Sequence, residues 1–154
     1  MKAVVQRVSS ARILVNGKNI AAITNGLLVF LGVEVGDNTA DAVSLAEKIA
    51  NLRIFEDEQG RMNLSIRDTD GAVLVVSQFT LLADCHKGNR PSFIHAEKPE
   101  RANLLYEEFL SIMRRLVKNV PSGIFREMME VSLVNDGPVT IILDGKRGRG
   151  DDER

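Results

Sequence analysis

Positions 77–80 read Ser-Gln-Phe-Thr, directly after the apolar run 72–76, so two hydroxyls and a carboxamide stand where a buried segment leaves the core. One role for such a group is structural, with Ser77 and Thr80 bonding local backbone at a strand end. The other is an active-site corner, where backbone N–H groups around Phe79 and Thr80 face a developing oxyanion and Gln78 donates as well. Ser77 or Thr80 as a nucleophile would need a base to take its proton. The two histidines, His86 and His95, both follow in the next loop, and no aspartate is spaced to orient either one, so a Ser/His/Asp arrangement is poorly supported. Asp84, Cys85, His86 and His95 match no zinc-ligand spacing. They read more simply as a solvated loop, and neither a metal nor a cofactor is expected.

Charge gives a second candidate. Lys87, Arg90, Lys98 and Arg101 gather near Asp84, Glu97 and Glu100. Such a patch suits a solvated loop or an unspecific contact to an RNA backbone. The run Lys146-Arg147-Gly148-Arg149-Gly150 adds cations, offset by Asp151, Asp152 and Glu153. No aromatic stacking platform accompanies either patch, which argues against a module that reads RNA sequence. The whole chain is net −1, so a general nucleic-acid coat is excluded and any such contact must be local.

These residues need elements to hold them. Residues 2–8 and 11–15 are β-branched and partly alternating, and Asn16-Gly17 joins them to 18–23, a strong hairpin signal. Asn25-Gly26 is a second turn, before an apolar strand over 27–33 buried on both faces. Ala42, Leu45, Ala46, Ile49 and Leu52 form a helical stripe over 40–53, with Asp37 or Asn38 as the cap. A polar turn over 56–60 precedes a second interior strand over 72–82 and a long polar loop over 83–98. Pro99 suits the first turn of a helix whose stripe is Ala102, Leu105, Tyr106, Phe109, Ile112, Met113 and Leu116. Two last strands are expected, over 128–133 and 139–143, with Val134-Asn135-Asp136-Gly137-Pro138 as the turn between them.

The strands outnumber what two helices can cover, so sheet must pack on sheet or on another subunit. The expected fold is α/β: a single β/β/α layered domain over 1–144, β-rich with two amphipathic helices, and a polar, disordered tail over 145–154. The 154 residues, 44% apolar and 27% charged, allow one real core and no separate substrate domain. No apolar run approaches the length of a membrane span, so no membrane partner is expected. The single Cys85 and a start without a signal-peptide core suggest a cytoplasmic protein.

Three stretches together carry a resemblance: AVVQRVSSARILV with its Asn-Gly turn, VVSQFTLLADCHKGNRPSF, and VSLVNDGPVT. In this order and spacing the chain resembles the D-aminoacyl-tRNA deacylase family from Met1 to about Asp144. A related editing enzyme with relaxed chirality replaces the SQFT pattern, so the D-specific branch fits better. The resemblance implies a cytoplasmic homodimer that hydrolyses the ester between a D-amino acid and the 3′ end of tRNA and also removes glycine from mischarged tRNA, with no DNA partner. It implies a pocket beside Ser77, Gln78, Phe79 and Thr80, entered by a cis Gly137-Pro138 peptide from the partner subunit. It also implies that the tRNA's terminal 2′-hydroxyl assists, in place of a protein base. Two readings compete with it: a dimer that binds RNA ends without chemistry, and a small-molecule esterase with Thr80 or Ser77 as nucleophile. Phe125-Arg126-Glu127 departs from the family's small residues at that point, and Cys85-His86 is unusual in its loop.

Overall fold

The computed structural model describes residues 1–145. The elements are β1 (Lys2–Val15), β2 (Lys18–Ile23), β3 (Gly26–Gly32), α1 (Thr39–Asn51), β4 (Phe55–Glu56), β5 (Met62–Leu64), β6 (Ala72–Ser77), a 3-10 turn (Phe79–Leu82), α2 (Pro99–Leu116) and β7 (Glu130–Asp144). The expected tail lies, but for Gly145, outside the described residues.

The two runs expected at the start are one continuous strand, β1, and it organises the sheet. Its first half pairs antiparallel with β3 and its second half with β2, while β7 follows its other edge along nearly the whole length. Asn16 (φ 50) and Gly17 (φ 75) make the β1–β2 turn, as the Asn-Gly pair predicts. β6 adds parallel to β3, and the segment 119–123 covers the outer edge of β6 through Val73 N–H to Asn119 O and Val75 N–H to Pro121 O. β4 and β5 form a separate small hairpin around the polar turn, a pairing the sequence did not suggest.

Period-two alternation on strands buried on both faces divides the core. Leu27, Val29, Leu31, Val73 and Val75 face α1 and α2, joined by Ala3 and Val5. Leu28, Ala72, Leu74 and Val76 face the other way and meet Val8, Ala11, Ile13, Ala21 and Ile23, so the sheet curls over itself. Helices, central strands and curled-over strands thus make the β/β/α layering, with each buried aliphatic side chain contributing roughly 1.5–3 kcal/mol. Helix α1 starts on a capping box: Asn38 Oδ1 accepts from Asp41 N–H and Asp41 Oδ2 accepts from Asn38 N–H. Helix α2 begins at Pro99, as expected. The Met1 ammonium is buried against Asp37, 2.8 Å from Oδ2.

Two expectations fail in ways that bear on function. The run 72–82 is not one strand: β6 ends at Ser77 and Phe79–Leu82 turn into a 3-10 helix. The two last strands are also not a hairpin. Both lie within β7, and both pair with β1 in the same antiparallel sense.

Candidate active site

The SQFT segment is a corner between a buried strand and an exposed turn. Gln78 N–H donates to Leu31 O at 2.8 Å, which continues the β3–β6 pairing, and the chain then bends into the 3-10 turn, where Leu81 N–H reaches Gln78 O. Gly32, the last residue of β3, makes room for the bend. A Cβ there would lie 2.5 Å from Leu82 Cδ2 and 3.1 Å from Gln78 O. The sequence reading missed this residue. A glycine inside an apolar strand was the available signal, since it marks close backbone approach.

The opening N–H groups of a helical turn have no partner within it. Among the described residues, no hydrogen bond engages the N–H of Phe79 or of Thr80. Both residues are exposed at the end of the strand. The Gln78 carboxamide donates to Thr80 Oγ1 in a short bond. Among the described residues that oxygen has no other hydrogen-bond partner. Ser77 is half-buried at the strand end. Ser77, Gln78, Phe79 and Thr80 thus share the bend between β6 and the 3-10 turn.

Gly137 and Pro138 form an exposed protrusion on β7. Gln6 of β1 pairs with Thr140 and Val8 pairs with Asn135, so Arg7 alone faces four residues, 136–139, which bulge from the ladder. The Gly137–Pro138 peptide is cis and Gly137 has φ 139. The bulge is closed from below. Asn135 Oδ1 accepts from Val139 N–H, Asn135 Nδ2 donates to Thr140 Oγ1, and Val139 is buried. The Arg7 guanidinium, itself buried, donates to Asp136 O at 3.0 Å and to Ile54 O at 2.7 Å. Arg7 and Asn135 are functional candidates that sequence reasoning missed, because a lone arginine in an apolar strand gives no sign of what it clamps.

The strand order sets the two motifs apart within the chain. β7 and β6 are separated by β1 and β3, about 14 Å across the sheet. Arg7, opposite the bulge, is in register with Leu27 and then Val73, a further four residues short of Ser77, or about 13 Å along the strand. Gly137-Pro138 and Ser77–Thr80 thus lie roughly 20 Å apart within one chain.

The loop after the 3-10 turn is built rather than loose. Asp84 and Ser92 exchange backbone bonds of 2.8 and 2.9 Å. The Asp84 carboxylate accepts from His86 N–H, meets His86 Nδ1 at 2.7 Å and lies 3.7 Å from His95 Nε2. The His86 N–H and then the His86 ring hold this carboxyl below the usual carboxylate range. Among the described residues, no three His, Cys, Asp or Glu side chains are grouped to hold a metal. The loop contradicts one expectation, since Asp84 does hold the His86 ring. It also brings Phe93 against Phe79, ring centroids 5.0 Å apart, a pairing the sequence did not suggest.

The family model described as D-Tyr-tRNA(Tyr) deacylase matches residues 4–144. The chain belongs to this family. It is 58% identical over 147 residues to the D-aminoacyl-tRNA deacylase of Syntrophus aciditrophicus (strain SB), covering 96% of this chain and 99% of that one. It is 54% identical, with the same coverage, to the D-aminoacyl-tRNA deacylase of Thermotoga petrophila. Among solved structures, the c-Myc DNA Unwinding Element Binding Protein superposes with a TM-score of 0.89 at 42% identity, over 94% of this chain and 98% of that one. A probable eukaryotic D-amino acid tRNA deacylase superposes with a TM-score of 0.80 at 16% identity, over 92% and 97%, a likeness of fold. The family match spans both the SQFT corner and the Gly-Pro bulge. No helix among the described residues is long and apolar enough to cross a membrane.

Proposed function

We propose that the chain is a D-aminoacyl-tRNA deacylase that hydrolyses the ester between a D-amino acid and the 3′ end of tRNA. The observation that carries this reading is the SQFT corner, where among the described residues the N–H groups of Phe79 and Thr80 have no hydrogen-bond partner. An aminoacyl ester is already reactive, so positioning and charge stabilisation suffice. Water adds to the ester carbon, and the carbonyl oxygen gathers charge in front of Phe79 and Thr80 N–H. The bond to the ribose oxygen then breaks, and that oxygen takes the proton. The neighbouring 2′-hydroxyl of the tRNA relays this proton, a role no side chain of the corner is placed to fill. Gln78 and Ser77 polarise and shape the pocket.

Refusal of L-aminoacyl-tRNA follows from the bulge. A side chain lining a pocket can rotate away, and one misfitting methyl group is worth only about 1–3 kcal/mol. A backbone segment clamped by Arg7 and Asn135 yields less, which makes it a better wall against the wrong hand. Since the bulge lies far from its own SQFT corner, it serves the site of a second copy, and the working unit is a homodimer. Glycine has no side chain to strike the wall, so glycyl-tRNA is also cleared.

The test of the chemistry is Thr80→Ala. Most of the activity survives if the backbone acts, whereas a loss on the order of 10⁴-fold would mark the hydroxyl as a nucleophile and favour the esterase reading.

A further inference from the structure

The Phe79 and Phe93 rings meet edge to face at 63° with 57% and 38% of each residue exposed, and Ile94 beside them is 73% exposed. Apolar surface this open, next to a polar corner, is uncommon on a protein that does not bind something there. The rings come from different elements, and both are fixed. Phe79 starts the 3-10 turn. Phe93 follows the Asp84–Ser92 bridge, and its carbonyl accepts from Ala96 N–H. Lys87 and Arg90 are exposed on the loop which that bridge closes. Among the described residues neither has an ion-pair partner, and the one acid at the loop base, Asp84, is occupied by His86 and His95.

We infer that this platform binds the single-stranded RNA just 5′ of the reacting nucleoside, with a base on the Phe79–Phe93 rings and phosphates on Lys87 and Arg90. The inference rests on the deacylase reading, which supplies tRNA as the substrate. An exposed aromatic face beside unpaired cations is the combination that holds single strands without reading sequence. The cations fix the direction. The aminoacylated nucleoside carries its first phosphate on its 5′ side, so a cationic loop finds its ligand only on the nucleotides before it. The second copy brings its Gly137-Pro138 bulge to this corner, and its own Lys87–Arg90 loop would meet like charge on the platform, which leaves the rings and cations to the RNA.

The test compares two substrates, D-aminoacyl-tRNA and a D-aminoacyl-adenosine ester that ends at the reacting nucleoside. For Phe93→Leu, KM for the tRNA is expected to rise about tenfold with kcat little changed, while both constants for the adenosine ester stay at wild-type values. Phe93→Tyr, which keeps a ring, is expected to restore the tRNA KM. Lys87→Ala with Arg90→Ala, on the exposed loop, is expected to flatten the plot of log KM against log salt by roughly 0.7 for each phosphate that loses its cation. An unchanged tRNA KM in these variants, an equal KM rise for both substrates, or a changed oligomeric state in Phe93→Leu would each overturn the inference. Failure of the deacylase reading looks different: the wild-type protein then turns over neither substrate.

Discussion

Arg126 stands at φ 68, a left-handed conformation that costs an L-residue about 1–2 kcal/mol. Glycine adopts it freely but loses more freedom on folding. Arg126→Gly is therefore expected to raise stability by about 0.5–1 kcal/mol in denaturant unfolding. The departure noted in the sequence is thus a backbone matter, which residue type alone does not reveal. Tyr106 is buried, with its hydroxyl 3.3 Å from Val75 O, and burial pushes its pKa up to about 12. Its contribution to stability is complete below pH 10, where the phenol is neutral in both states. It is lost between about pH 10 and 12, because the unfolded chain ionises first. Tyr106→Phe is expected to flatten stability over that interval. At the SQFT corner, Phe79 occupies the first position of a helical turn, where a proline gives up an N–H that has no partner within the turn. Phe79→Pro removes one backbone donor and is expected to lower kcat by about 10²–10³-fold relative to Phe79→Ala, which loses only the ring.

At the scale of elements, sequence pattern revealed most where periodicity was long. Both helices, the Asn-Gly turn and the doubly buried β3 follow from spacing because helical stripes and turn residues have direct physical causes. Two elements misled. Phe79–Leu82 are as apolar as a strand, so only Gly32 hinted at the close packing that bends the chain there. Gly32→Ala is expected to destabilise by about 1–3 kcal/mol by pressing on the buried Leu82 and the Gln78 carbonyl. It should also lower deacylation more than unfolding explains, since it displaces the corner. Asn135–Pro138 read as a hairpin because those residues punctuate turns. Instead the bulge interrupts one strand, and β1 holds both sides of it in register. Arg7→Ala would leave the Asp136 and Ile54 carbonyls without this partner. It is expected to cost stability by about 1–3 kcal/mol and to raise activity on L-aminoacyl-tRNA as the bulge loosens.

Across the whole molecule, the family and the layered architecture were readable from three motifs and a count of strands against helices. How far apart the motifs lie was not, because it depends on strand order and register. That roughly 20 Å separation carries the two-chain account of selectivity. Mixed dimers test it. Homodimers of Pro138→Ala are expected to attack L-aminoacyl-tRNA, and homodimers of Phe79→Pro to be nearly inactive. A mixed dimer pairs the intact corner of one variant with the intact bulge of the other. It is expected to recover D-aminoacyl activity with L rejection at that one site. The central claim has a more direct test still: incubate the wild-type protein with D- and L-aminoacyl-tRNA of the same amino acid and follow loss of the ester. The account predicts rapid loss from the D-aminoacyl form and background loss from the L form. Binding of both without turnover, or equal hydrolysis of both, would contradict it.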